Sequence, residues 1–209
     1  MNRDIKLIAF DLDGVLVDGG GSWIQVHKGL GTLELSEKNS IDYYSGKITF
    51  EQWAKRDVEL WKGTDEDKLK DILYKSTLME GIDEALPILK KKYKVIIISG
   101  GLKMLADHLM EKFGLDAAFG NELIVRRGKI AGIRHIVDFN DKGKILKQAA
   151  ACYDILPKEC AAIGDYLNDV PMFKTAGFSI AFNPKNDEVA MNATEVVYGK
   201  DLRRILKYF

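Results

Sequence analysis

"LIAFDLDGVLVDGGG", residues 7–21, is the stretch on which the fold turns. Its first four residues are continuously apolar, as a strand covered on both faces must be. The run ends on Asp11 and Asp13, two carboxylates one residue apart, with glycine at 14 and again at 19, 20 and 21. Like charges this close raise each other's pKa, and removal from water adds to the cost. A chain that carries both acids out of its core needs a positive group to meet them. Further apolar runs of strand length follow: "IKLIAF" (5–10) has counterparts in "KVIIIS" (94–99), "CAAIG" (160–164) and "FSIAF" (178–182), with "EVVY" (195–198) as a fifth candidate.

Helical patterns separate these runs: "GIDEALPILKKK" (81–92), where Pro87 is placed to kink the helix, "GLKMLADHLMEKFG" (101–114), "DKGKILKQAAACYD" (141–154) and "DVPMFKTAG" (169–177). Alternating strand and helix predicts an α/β domain with a parallel sheet. "LIVRRGKIAGI" (123–133) reads as a β-hairpin inserted into that scheme. Residues 17–77 break the alternation and are helical throughout. Thr49 and Gln52 form a capping box ahead of Phe50, Trp53, Ala54, Val58 and Trp61 at helical spacing, and Thr64 is placed to cap a helix through Leu69, Ile72 and Leu73. The chain thus divides into an α/β core of residues 1–16 and 78–209 and a helical insertion of residues 17–77. The run Gly19–Gly20–Gly21 leads into the insertion as a loop or a hinge.

Composition sets outer limits. The 209 residues are 46% apolar and 30% charged, which describes a globular chain long enough to bury a real core. Thirty-one basic residues balance 31 acidic ones, so no net charge is available to hold a polyanion, and nucleic acid is not the expected partner. Cys152 and Cys160 do not make a disulfide scaffold at this size. No apolar stretch approaches the roughly 18 residues of a membrane span, and the first acids follow too soon for a signal-type segment, so the expectation is a cytoplasmic protein. Oligomeric state is not readable.

The chemistry collects at one edge of the expected sheet, where ligands of open parallel sheets bind. The strand ends and adjoining loops carry Asp11 and Asp13, then Ser99–Gly100–Gly101, then Lys142 and Lys144 in "NDKGK", then Asp165, Asn168 and Asp169 in "GDYLNDVPM". Each alone is common in α/β proteins, whereas their order and shared placement are specific. Of the remaining polar groups, Lys144 and Lys90–Lys92 read as solvated, and His27, His108 and His135 as packing or surface residues.

These motifs resemble those of the haloacid dehalogenase-like superfamily, and within it the phosphoserine phosphatase group. The likeness spans nearly the whole chain through "AFDLDGVLVD", "TFEQW", "IISGG", "FGNELIVRRGKIAG", "DKGKIL", "AIGDYLNDVPMFKTAGFSIAFNP" and "DLRRILKY". It implies a Rossmann-like parallel core with a small helical cap inserted after the first strand. It also implies a Mg²⁺-dependent phosphomonoesterase acting on a small phosphate ester. Hard oxygen ligands suit that ion. By the resemblance, the Asp11 carboxylate, the Asp13 backbone carbonyl and the Asp165 carboxylate hold it, with Asp169 orienting metal-bound water or Lys142. Asp11 is then the nucleophile, Asp13 the general acid and base, and Lys142 the charge that meets the phosphoryl oxygens, to which Ser99, the Gly100 amide and Asn168 donate. Two further readings remain: a phosphomutase or phosphotransferase of the same superfamily, and a catalytically silent binder of phosphorylated ligands.

The departures from the group are as informative. Val15 stands where its first motif has Thr, and Gly20 where the group's ammonium-reading Glu would be. Lys55 falls at the position of its carboxylate-reading Arg, with Arg56 beside it. Asp18 or Glu34 is available in place of the Glu, and Lys55 or Arg56 in place of the Arg, although Lys and Arg differ in geometry. Trp23, Trp53 and Trp61 either pack the cap or line a pocket. Phosphatase chemistry is thus expected, and phosphoserine specificity is in doubt.

Overall fold

A computed structural model describes residues 4–134 and 137–209 of the chain; His135 lies outside the described residues. The central strand, β1 (Leu7–Phe10), is fully buried and pairs in parallel with β2 (Lys94–Leu102) on one side and β5 (Cys160–Gly164) on the other. With β3 (Ala117–Arg126), β4 (Lys129–Arg134), β6 (Phe178–Phe182) and β7 (Glu195–Val197), the sheet runs β4-β3-β2-β1-β5-β6-β7. All neighbours are parallel except β3 and β4. Period-2 alternation sorts the strand residues into two cores. Ile8, Phe10, Val95, Ile97, Ala161 and Ile163 face helices α5 (Ile82–Lys90) and α6 (Lys103–Phe113), while Leu7, Ala9, Ile96, Ile98, Cys160 and Ala162 face α7 (Lys142–Ala151) and α8 (Val170–Thr175). This is the α/β Rossmann-like core expected from the sequence, and its seven strands are the five apolar runs and the two arms of the hairpin.

The hairpin is not an insertion. The first half of β3 is a parallel partner of β2, and its second half turns through Arg127 and Gly128, both at positive φ, into β4. That turn is the two-residue kind that matches strand twist. Pro87 sits inside α5, which continues past it to Lys90.

Between β1 and α5 lie four further helices, α1 (Ser22–Leu30), α2 (Leu33–Tyr44), α3 (Phe50–Glu59) and α4 (Glu66–Leu73). Thr49 and Gln52 close the expected capping box at the start of α3. Thr64 does not cap α4: that position belongs to Asp65, while the Thr64 carbonyl accepts from Ile130 of β4. Ala54, Val58, Trp61, Leu69 and Leu73 join the core on the α5 and α6 side, so the helices are fastened to the sheet and not merely tethered to it. No described helix is long and apolar enough to cross a membrane.

Candidate active site

Asp11 follows directly on β1, and its buried carboxylate meets the positive group that the sequence called for. Lys142, fully buried at the start of α7, places Nζ 2.8 Å from Asp11 Oδ1 and 2.6 Å from Asp169 Oδ1. The Leu12 backbone N–H also donates to Asp11 Oδ1, at 2.7 Å. Both contacts fall on one oxygen, and Asp11 Oδ2 carries no hydrogen bond among the described residues. Burial works against the charge on Lys142, but Asp11 and Asp169 outweigh it and hold the ammonium above its ordinary value.

Asp165 completes the cluster at the end of β5. The carboxylates of Asp11, Asp165 and Asp169 each bring an oxygen to within 4.8 Å of the others. Gly14, at φ +91°, permits this crowding, because a Cβ there would collide with the Asp165 carboxylate. Burial, then repulsion from Asp169, pushes Asp165 up to about 7, and the same two causes raise Asp11. Asp169 is engaged at both oxygens, since its Oδ2 accepts from the backbone N–H groups of Asp165 (2.8 Å) and Tyr166 (3.0 Å). Asp11 and Asp165 retain free oxygen valence, and a hard divalent cation between them would cancel the repulsion.

Asp13 is held by a residue that the sequence reading passed over. Ser22, the first residue of α1, donates its N–H to Asp13 Oδ1 (3.0 Å) and its hydroxyl to Asp13 Oδ2 (2.9 Å), and its Oγ accepts from the Leu102 N–H (3.0 Å). Burial raises the pKa of Asp13 even against these hydrogen bonds and the charge of Lys142. Ser99 Oγ accepts from the Gly101 N–H at 2.9 Å. A side chain at Gly101 would collide with Asp13 and the Ser22 hydroxyl. The Gly100 carbonyl accepts from Asn121 Nδ2 (2.9 Å) and from the Trp23 indole N–H (3.1 Å), which fixes the loop and ties α1 to it. Asn168 brings its side chain to the same place with Oδ1 buried and unpartnered.

These groups open into a cavity of about 640 Å³ between the strand ends and helices α1 to α3. Asp11, Asp13, Ser99, Gly100, Asp165 and Asn168 line it. Trp23 and Trp53 line it as well, whereas Trp61 is wholly buried in the core. Lys55 and Arg56 do not reach it. Both lie on the outer face of α3, exposed, where Lys55 pairs with Glu51 at 2.6 Å and Arg56 with Asp42 at 2.9 Å. The expectation that either reads a substrate carboxylate is corrected accordingly. Gly20 lines the cavity at φ +92°, a conformation that strains any side chain placed there. Asp18 lies in the wall but is paired with Lys200 at 2.9 Å; Glu34 is exposed outside it. Lys144 is exposed, as read, and His108 stacks on Tyr74 at 3.8 Å between ring centroids.

A family model described as haloacid dehalogenase-like hydrolase matches residues 5–177. The phosphoserine phosphatase of Methanocaldococcus jannaschii is 36% identical over 211 residues, covering 100% of this chain and 99% of its own. That of Wolinella succinogenes is 33% identical over 207 residues, covering 98% and 100%. Among solved structures, a phospho-aspartyl intermediate analogue of phosphoserine phosphatase superposes with a TM-score of 0.85 at 36% identity, covering 98% of this chain and 99% of that one. Fold, site and likeness together define a phosphatase. The chain belongs to the haloacid dehalogenase-like hydrolases, in their phosphoserine phosphatase-like group.

Proposed function

We propose that the chain hydrolyses a small phosphate monoester in two steps, through a phosphoryl group carried on Asp11. The observation that carries this reading is the asymmetry of Asp11: Leu12 and Lys142 hold Oδ1 and leave Oδ2 unengaged in the cavity wall. In the first step Asp11 Oδ2 forms a bond to phosphorus as the ester oxygen leaves, and Asp13 gives that oxygen its proton. Burial, which raises the pKa of Asp13 above the ordinary carboxylate value, favours its protonated form and so its part as the acid. In the second, Asp13 takes a proton from the water that attacks phosphorus, and Asp11 is released with inorganic phosphate. Ser99, the Gly100 amide, Asn168 and Lys142 meet the charge on the phosphoryl oxygens, which is where most catalysis of this transfer resides.

Asp11, Asp165 and the Asp13 carbonyl fit Mg²⁺ as a set of hard oxygen donors, and the ion when bound would neutralise phosphoryl charge. Asp169, spent on Lys142 and two amides, orients the lysine. Mg²⁺ at a hundredfold excess over its Kd should stabilise by about 2.7 kcal/mol, a rise in Tm of roughly 5–11 °C for a chain of this size. Asp165→Asn should abolish that rise while leaving the metal-free Tm equal or higher, because it removes one of three crowded acids. Calorimetry of both proteins with and without Mg²⁺ checks this, and a variant that keeps the rise removes Asp165 from the ligand set.

Residues 17–77 we read as a cap over the site, held down by the Ser22 and Trp23 contacts. The cap half of the cavity presents no lysine or arginine, and Glu37 and Asp57 stand in it. A carboxylate desolvated against those acids is unfavourable. L-phosphoserine should therefore be hydrolysed with kcat/KM at least tenfold below that of an uncharged alkyl phosphate. A screen of phosphate esters with Mg²⁺ tests both statements: release of phosphate from none of them overturns the phosphatase reading, and a strong preference for phosphoserine overturns the specificity argument alone.

A further inference from the structure

Four carboxylates are buried among the described residues: Asp11, Asp57, Asp165 and Asp169. Three of them have a lysine within reach, Lys142 for Asp11 and Asp169 and Lys185 for Asp165. Asp57, only 3% exposed, has none. It belongs to α3, and its side chain lies in the wall of the active-site cavity. Its Oδ1 accepts from Asn39 Nδ2 at 2.8 Å, and its Oδ2 lies 3.2 Å from His27 Nε2, angled so that no well-formed hydrogen bond closes.

The charge state of His27 decides whether Asp57 is neutralised. The Trp61 indole N–H donates to His27 Nδ1 at 3.1 Å, and the Thr32 hydroxyl stands 2.8 Å from the same nitrogen. An indole nitrogen can only donate, so Nδ1 must accept, and the single ring proton sits on Nε2. His27 is then a neutral imidazole. Asp57 is left as a buried carboxyl group that accepts one hydrogen bond, from Asn39, and has no lysine or arginine against it among the described residues, an arrangement that a bound cation would complete.

Asp57 shares the cavity wall with several aromatic side chains. Trp23, Tyr44, Phe50 and Trp53 line the same space. The two lysines in the wall, Lys185 and Lys200, come from the opposite, core side, and each is paired with an acid, Asp165 at 3.3 Å and Asp18 at 2.9 Å. A cavity that brings aromatic side chains and a buried acid together, with its two lysines already paired to other acids, suits a desolvated organic cation better than an anion or a neutral group. We infer that the leaving group of this enzyme's substrate carries an alkylammonium cation and no carboxylate, and that Asp57 with these aromatic side chains is what selects it. The inference rests on the phosphatase reading above and adds the chemical class of the ester.

The test compares phosphocholine with 3,3-dimethylbutyl phosphate, which has the same shape with carbon in place of the charged nitrogen, and with p-nitrophenyl phosphate as a reference. Wild type should favour phosphocholine over its neutral isostere by tenfold or more in kcat/KM. Asp57→Asn keeps the shape and an acceptor for Asn39, and it should bring that ratio to within about threefold of unity. A wild type that hydrolyses the neutral isostere as well as the cation overturns the inference whatever the variant does, so the result does not depend on the variant folding. A ratio unchanged in a folded Asp57→Asn overturns the role of Asp57. Turnover of p-nitrophenyl phosphate without a cation preference sinks this inference alone, whereas no turnover of any ester sinks the phosphatase reading with it.

Discussion

Asp11→Asn should release phosphate about 10⁶-fold more slowly than wild type, the scale on which loss of a nucleophile lowers kcat in enzymes with a covalent intermediate. The substitution removes the attacking anion, one of the two carboxylates on Lys142 and a candidate metal ligand together. It should not unfold the protein. Burial and Asp169 already disfavour the charge on Asp11, so the neutral amide relieves repulsion while Asp169 keeps Lys142 paired at 2.6 Å. A Tm within a few degrees of wild type, alongside inactivity, is the expected pair of results. Activity within a hundredfold of wild type would mean that another group attacks phosphorus.

Asp13→Asn separates proton transfer from attack. The backbone carbonyl is retained, and the amide oxygen still accepts from Ser22, so the site should stay assembled. The rate for alkyl esters should fall by about 10²–10⁴-fold, the usual contribution of general acid–base catalysis. The loss for p-nitrophenyl phosphate should be much smaller, since its leaving group scarcely needs a proton. Steady-state kinetics on the two ester types reads this directly, and equal losses on both would remove Asp13 from the role of acid.

How the sequence conveyed these features depended on the range of the contacts involved. The strands 160–164 and 178–182 coincide with β5 and β6 because unbroken apolar runs between helices leave little choice of element. Asp11, Ser99, Lys142 and Asp165 were legible because strand ends converge on one edge of a parallel sheet. The start of β3 was not, since "AAFGN" is short, small and broken by Gly120, and becomes a strand only by pairing with β2. Ser22 carried no signal at all: its partners Asp13 and Leu102 lie 9 and 80 residues away in the chain. Lys55 and Arg56 are the instructive failure. The helical spacing that puts Ala54, Val58 and Trp61 inside also turns residues 55 and 56 outward and Asp57 inward. The phase of α3 thus sets Lys55 and Arg56 outside the cavity.

Gly20 shows the converse. Its place in the chain suggested a missing glutamate, and the backbone at φ +92° explains why no side chain stands there. With no side chain at Gly20, the acid that α3 brings into the cavity wall is Asp57, on which the proposed selection rests.

The covalent intermediate on Asp11 is the centre of this account, and rapid acid quenching tests it most directly. Wild type mixed with Mg²⁺ and excess p-nitrophenyl phosphate, quenched within one turnover, digested and analysed by mass spectrometry, should carry one phosphoryl group on the peptide containing Asp11, and the label should be absent from Asp11→Asn. Phosphate released with a burst but no labelled peptide, or a label on any other residue, would contradict it.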